Sequence, residues 1–308
     1  MSIPKIIFSA DFLFVVLRVT TPILFATLAV TIASRSGLFN IAIEGIMLIA
    51  ALTGVIFSDR FQNPWIGLLF ALILGGLIGA LLAFLVLKLK TDAILAGIAL
   101  NLMATGGTIF FLYLVSGDRG VSSSLDSIPL PNINLPIIEN IPFLGTVLSG
   151  HNILTYLAFL AAILVHILLF KTPLGYKIRA VGENSEAAES VGIKVHRIQF
   201  IASTLSGILA SFGGAFLSMG YLSWFTSGMT AGRGYIGLAA NAMGGSTPIG
   251  GLIVSLIFGI ADAMANVFQT GIDLPYELVQ MIPYITTIVG LAIFSYNNKK
   301  KKERAANE

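Results

Sequence analysis

Apolar residues fall along this chain in long unbroken runs, without the alternation of a half-buried strand or the stripe of a soluble amphipathic helix. A bilayer core of about 30 Å needs roughly 20 apolar residues as helix. Runs of that order predict membrane-crossing helices near 13–33, 40–57, 64–87, 93–115, 153–170, 198–220, 249–269 and 277–296. One further segment, 233–246, is short and rich in glycine, which suits a half-helix or a re-entrant piece buried in protein. The expected fold class is an all-α polytopic membrane protein of about nine transmembrane helices, with 1–308 as a single membrane domain.

Composition agrees with that reading. Hydrophobic residues make up 56% of the 308 and charged residues 11%, with a mean hydropathy of +0.90. A soluble domain carries about 25% charged residues, so a chain this poor in charge has lipid as its solvent. The absence of cysteine excludes disulfides, thiolate metal sites and thiol nucleophiles. His151, His166 and His196 stand far apart and form no metal-binding pair, so no metal is expected. The first residues, Met1 to Ala10, lack a basic n-region and a small-residue cleavage site, so the first span is expected to be kept.

Charge then orients the spans. If the C-terminus is cytoplasmic, the inside segments hold Arg35; Lys88 and Lys90; Lys171, Lys177, Arg179, Lys194 and Arg197; and Lys299, Lys300, Lys301, Lys302 and Arg304 of a basic tail at 297–308. Those are 13 of the 18 basic residues. The outside loops hold Asp59, Asp118, Asp126, Glu139, Asp273 and Glu277. Basic residues favour the cytoplasmic side, so nine spans would leave the N-terminus outside. The pI near 9.1 is thus a topology signal, and no nucleic acid is expected as partner.

Two connections are long: about 116–152, outside and rich in proline and asparagine, and about 171–197, inside and of mixed charge. Long loops in compact folds are usually functional. The inner loop carries helix punctuation. Asn184 is a good N-cap, Glu186 and Glu189 suit the positive end of a helix dipole, Ala187 and Ala188 favour helix, and Gly192 is a natural stop. These predict a short helix over 185–191. It is either an ordinary solvated connection or a rigid element that seats in a groove of another protein.

Glu186-Ala187-Ala188 followed by Gly192 resembles the EAA motif of ABC importer permeases. The wider stretch from Ala180 through Gly182, Glu183 and Asn184 to Ile193 looks like the form found in permeases for branched-chain amino acids, simple sugars and nucleosides. Two more matches lie at Ser34–Gly45 (SRSGLFNIAIEG) and Met229–Ala240 (MTAGRGYIGLAA). All three fall in the family's order, the resemblance covers nearly the whole chain, and the first of the two is most like the nucleoside-uptake branch. The resemblance implies that Gly182, Glu183, Asn184, Glu186, Ala187, Ala188 and Gly192 couple to cytoplasmic ATP-binding subunits. It further implies a second, homologous permease subunit, an extracytoplasmic substrate-binding lipoprotein, and a place in the bacterial cell membrane.

Polar groups inside spans are costly, so each is a candidate for the solute path. Asn40 and Glu44, four apart on one expected helix face, are either a gate or a helix-start cap with an interfacial carboxylate that meets water or Arg35. Asn101, Thr105 and Thr108 form a stripe that either faces a hydrogen-bonding solute or bonds a neighbouring helix. Asp262 and Asn266 repeat the pattern, with a structural and a substrate role equally open. Arg233 either faces the path or anchors the short segment. No phosphate-binding loop, GxSxG, zinc motif or dinucleotide fingerprint occurs, so no cofactor and no catalysis are expected. The chain should form a path driven by a partner's ATP hydrolysis. A stand-alone secondary transporter is the weaker alternative, and an intramembrane enzyme weaker still.

Overall fold

The structure, a computed structural model, describes residues 9–139 and 141–271 together with isolated positions between 281 and 296. The expected span 277–296, its flanking Asp273 and Glu277, and the tail 297–308 lie otherwise outside the described residues.

The chain is helical nearly throughout: α1 (Ala10–Arg35), α2 (Ile43–Phe61), α3 (Pro64–Leu87), α4 (Ala93–Ser116), short α5 (Pro136–Glu139) and α6 (Leu144–Leu148), α7 (Ile153–Lys171), α8 (Pro173–Glu183), α9 (Ser185–Ser190), α10 (Val195–Phe216, continuing as a π turn, Leu217–Tyr221), α11 (Arg233–Met243) and α12 (Pro248–Gly271). Side-chain caps mark many of the starts. Ser9 accepts from the Phe12 amide, Asp92 from those of Ile94 and Leu95, and Asn152 from that of Leu154. Pro64 follows its capping Asn63 as first residue of α3, where a missing N–H costs nothing.

Among the described residues six helices are long and apolar enough to cross a membrane: α1, α3, α4, α7, α10 and α12. The two remaining expected spans read differently. Helix α2 has 19 residues, with Glu44 in its first turn and Asp59 and Arg60 near its end. Helix α11 has 11 residues, about 16 Å at 1.5 Å per residue, half the depth of a bilayer. An all-α polytopic membrane protein is what these helices make.

Helix α1 is the axis of the bundle. Every residue from Val19 to Ala33 is buried, beneath α10, α11, α12 and α7. Helix α4, by contrast, leaves Leu102, Phe110 and Leu114 more than half exposed. Helices α3 and α10 meet across a seam of small residues. A Cβ on Gly75 would stand 1.6 Å from Ser211 Oγ, one on Gly79 2.4 Å from the Ser203 carbonyl, and one on Gly207 2.1 Å from the Gly75 carbonyl. Backbones therefore touch here, as small residues allow between membrane helices.

The 117–152 connection covers the end of the bundle opposite α8 and α9. Asn132–Ile133 and His151–Asn152 pair as a two-stranded antiparallel sheet, β1 and β2. Ser58 Oγ donates to the Ile128 carbonyl at 2.8 Å, and the Leu130 amide donates to that of Met219 at 2.8 Å.

Candidate functional site

Between α1 and α2 the chain breaks. Gly37 takes φ +77°, and Leu38, Asn40 and Ala42 turn inward while Phe39 stays 56% exposed, before α2 begins at Ile43. Asn40 therefore does not share a helix face with Glu44, as the apolar run had implied. Its side chain accepts from the Ala42 amide at 3.1 Å, a local turn that competes with helix, and donates to Ser206 Oγ of α10 at 3.0 Å. Asn40 is 1% exposed.

Asn101 of α4 clamps the start of α2. Its Oδ1 accepts from the Gly45 amide at 2.8 Å, and its Nδ2 donates to the Ile41 carbonyl at 2.9 Å and to the Tyr235 hydroxyl at 3.1 Å. The other members of the expected stripe turn inward on their own helix: Thr105 donates to the Asn101 carbonyl and Thr108 to that of Ala104. Thr105 stays exposed and Thr108 is buried.

Glu44 is half-buried and does not pair with Arg35, whose guanidinium donates elsewhere. Its two oxygens accept from the backbone amides of Gly232, at 2.8 Å, and Gly234, at 2.7 Å. Those amides belong to the N-terminus of α11, where unpaired N–H groups and the helix dipole favour negative charge. The approach requires glycine, since a Cβ on Gly234 would stand 2.7 Å from Glu44 Cα. The opposite end of α11 is held as closely. Arg35 donates to the carbonyls of Ser246 at 2.6 Å and Gly245 at 3.1 Å, just past the helix. Asn241 accepts from Thr31 and donates to Ser34 and Ser246. A carboxylate thus sits at the positive end of α11 and a guanidinium near its negative end.

Arg233, between the two glycines, pairs with Asp262 of α12 at 3.4 Å, the one ion pair among the described residues; the two side chains are 21% and 16% exposed. Asn266 lies one turn further along α12, half-buried. The structure thus gathers Asn40, Glu44 and Asn101 with Arg233 and Asp262 around the head of α11. It adds Tyr235, Ser206 and the amides of Gly232 and Gly234 there, and Asn241 at the far end of α11, whose roles no spacing in the sequence announces.

The second part of the site stands at the surface. Thr172 caps α8 by accepting from the Gly175 amide, and Asn184 caps α9 by accepting from that of Ala187 at 3.0 Å. Gly192, at φ +85°, closes α9, and the Ile193 amide reaches back to the Ala188 carbonyl at 3.0 Å. Glu183, Glu186, Ala187 and Glu189 are exposed, and Ala188 alone turns inward. The two parts touch. A Cβ on Gly182 would lie 2.2 Å from the Arg35 carbonyl, and Gln199 Nε2 donates to the Ser36 carbonyl at 3.2 Å. The root of α9 therefore rests directly on the turn that leads to Asn40 and Glu44.

Residues 12–291 match the family model described as branched-chain amino acid transport system / permease component. Among curated relatives, the nucleoside ABC transporter permease protein NupC of Lactococcus lactis subsp. cremoris is 35% identical over 89% of each chain. The guanosine ABC transporter permease protein NupQ of Bacillus subtilis is 33% identical over 89% of this chain and 88% of its own. A putative glucose ABC transporter permease protein, TsgC13 of Haloferax volcanii, is 30% identical over 94% of this chain and 92% of its own. No solved structure matches significantly. With the family model matched over residues 12–291 and relatives above 30% identical along most of its length, the chain belongs to the permease components of the branched-chain amino acid transport system family.

Proposed function

We propose that this chain is the membrane subunit of an ATP-driven importer for nucleosides, working by alternating access. The observation that carries the reading is the unbroken contact from surface to membrane: α9, then Gly182 on the Arg35–Gly37 turn, then Asn40 and Glu44, then the head of α11. A push on α9 reaches a half-helix inside the membrane through backbone contacts and charged hydrogen bonds, with no slack connection between. Gly182, Glu183, Asn184, Glu186, Ala187, Ala188 and Gly192 would meet the ATP-binding subunit. That subunit hydrolyses ATP, and this chain is not an enzyme. The charge pattern assigns α9 to the cytoplasmic side and the 117–152 connection to the outside, where a substrate-binding protein docks. Nine spans are completed by α2, the half-depth α11 and the segment near 277–296, within a single permease domain that pairs with a second, homologous permease.

Charge cancellation supports an uncharged cargo. Glu44 is answered by the α11 amides and Arg233 by Asp262. What remains exposed beside them is neutral and hydrogen-bonding, Thr105 and the hydroxyl-bearing Tyr235. Such a surface suits a nucleoside, whose base and ribose offer hydrogen-bond edges. It gives no counter-charge to the carboxylate of an amino acid, which would be expensive to desolvate unpaired. The names of NupC and NupQ point the same way. A simple sugar is the second reading, since it is equally uncharged and one relative's name carries glucose.

The test is reconstitution in proteoliposomes with the ATP-binding subunits and binding protein. ATP-dependent uptake of guanosine is expected, with unlabelled uridine competing and leucine without effect. Uptake of ribose but no nucleoside would favour the sugar reading. Failure of any ATP-binding subunit to co-purify from native membrane would end the importer reading altogether.

A further inference from the structure

Beside α9 lies a groove of about 660 Å³ that neither the solute path nor the charge cancellation at α11 uses. Leu174 and Lys177, one turn apart on α8, lie on one side, Lys194, Arg197, Ile198 and Ile201 on the other, and residues 191–193 at the end of α9 complete the lining. The four residues on the second side follow helical spacing down the start of α10. Charge comes first and isoleucine follows as α10 enters its membrane-crossing length. No acidic side chain lines the groove. None of the three cations has a carboxylate within ion-pairing distance among the described residues, where Arg233 with Asp262 is the pair found. A neighbouring groove of about 580 Å³ shares Lys194 and Arg197 but is also lined by Glu186 and Glu189, so its charges are mixed. The mixed groove suits a protein surface. The first groove, cationic at its mouth and apolar below, has the profile of a phospholipid.

We propose that this groove binds an anionic phospholipid. Its phosphate is held by Lys177, Lys194 and Arg197, and the upper part of one acyl chain lies along Leu174, Ile198 and Ile201. Basic pockets at the membrane surface between helices are recognised lipid-headgroup sites, and basic residues near an anionic surface attract it strongly. The bound lipid would tie α8 to α10 across the base of α9, so the lever's footing depends on the leaflet around it. The inference stands apart from the cargo.

The full-length protein, purified in neutral detergent, is offered phosphatidylglycerol and phosphatidylcholine, and retained lipid is counted by native mass spectrometry. Wild type should retain phosphatidylglycerol preferentially. Neutralising each cation should lower that preference about fivefold, and the triple variant K177Q/K194Q/R197Q should abolish it. Thermal unfolding in phosphatidylcholine vesicles, with and without phosphatidylglycerol, supplies the second readout. The wild type should be stabilised by the anionic lipid and the triple variant should not, with both alike in phosphatidylcholine alone. Should the triple variant unfold early there, K177Q alone, at an exposed position on α8, carries the comparison. Glycerol phosphate, which has the charge without the chains, should stabilise neither. Equal stabilisation by glycerol phosphate overturns the proposal in favour of a small-anion site. An undiminished lipid preference, with weaker capture of the ATP-binding subunit, overturns it in favour of an acidic protein surface.

Discussion

The α1–α2 break and the α8–α10 connection both interrupt membrane helices, yet they are built in opposite ways. The break is buried at alternate residues: Ser36, Leu38, Asn40 and Ala42 are each at most 2% exposed, while Phe39 is 56% exposed. Side chains from elsewhere in the chain secure it, Ser206 on α10, Asn101 on α4 and Glu44 from α2 onto α11. The connection is exposed, and local means hold it: a cap at Asn184 and a left-handed glycine at Gly192. The segment proposed to meet a partner is stabilised by its neighbours in sequence. The segment proposed to respond inside the membrane is stabilised by its neighbours in space.

That contrast can be broken by substitution. Glu44→Ala removes two charge-assisted hydrogen bonds to α11, each worth about 1.5–3 kcal/mol. Thermal unfolding in detergent should show the largest loss of this set, and uptake should disappear with it. Gly182→Ala sets a methyl against the Arg35 carbonyl, an overpacking of about 1–3 kcal/mol. Its sharper signature should be ATP hydrolysis that persists while uptake falls, because the lever's footing has shifted. If hydrolysis and uptake fall together with stability intact, α9 and the break are not mechanically joined. Asn184→Ala should cost about 1 kcal/mol, the usual worth of an N-cap. The loss should be confined to α9, so hydrogen exchange should speed at Ala187 and leave α2 unchanged. Glu186→Gln, at an exposed site, should leave the unfolding midpoint within about 0.5 kcal/mol of wild type and weaken capture of the ATP-binding subunit. An equal destabilisation by Glu44→Ala and Asn184→Ala would erase the distinction between the two segments.

The same division explains what could be read from the chain. Hydropathy locates the helices because lipid imposes a length. The ends of α9 are readable because Asn184 and Gly192 act within a few residues of themselves. Glu44 shows only as a carboxylate near a span's end. Its partners lie 188 and 190 residues away, and they are backbone amides, which no residue type reveals. Asn40 was expected on a helix because the apolar run continues past it. The break is held because the Asn40 side chain accepts from the Ala42 amide and donates to Ser206 in another span. Thr105 and Thr108 share a spacing with Asn101 but not its bonding, since a short hydroxyl reaches its own helix's carbonyl where an amide reaches across. Gly182 carries no sequence mark of its need to be small. Only the Arg35 carbonyl beside it supplies that.

The seam between α3 and α10 sets a limit on how such a device can move. Where Gly75, Gly79 and Gly207 face Ser203 and Ser211, there is room for hydrogen and for nothing larger. Axial slip would carry Ile208, which stands against Gly76, toward space that no side chain fits. The two helices are therefore keyed like a shaft in its collar: free to tilt as one piece, barred from sliding past each other. Because α10 begins just after α9, a thrust of the kind proposed at the surface would be returned as rotation of the pair and not absorbed as shear.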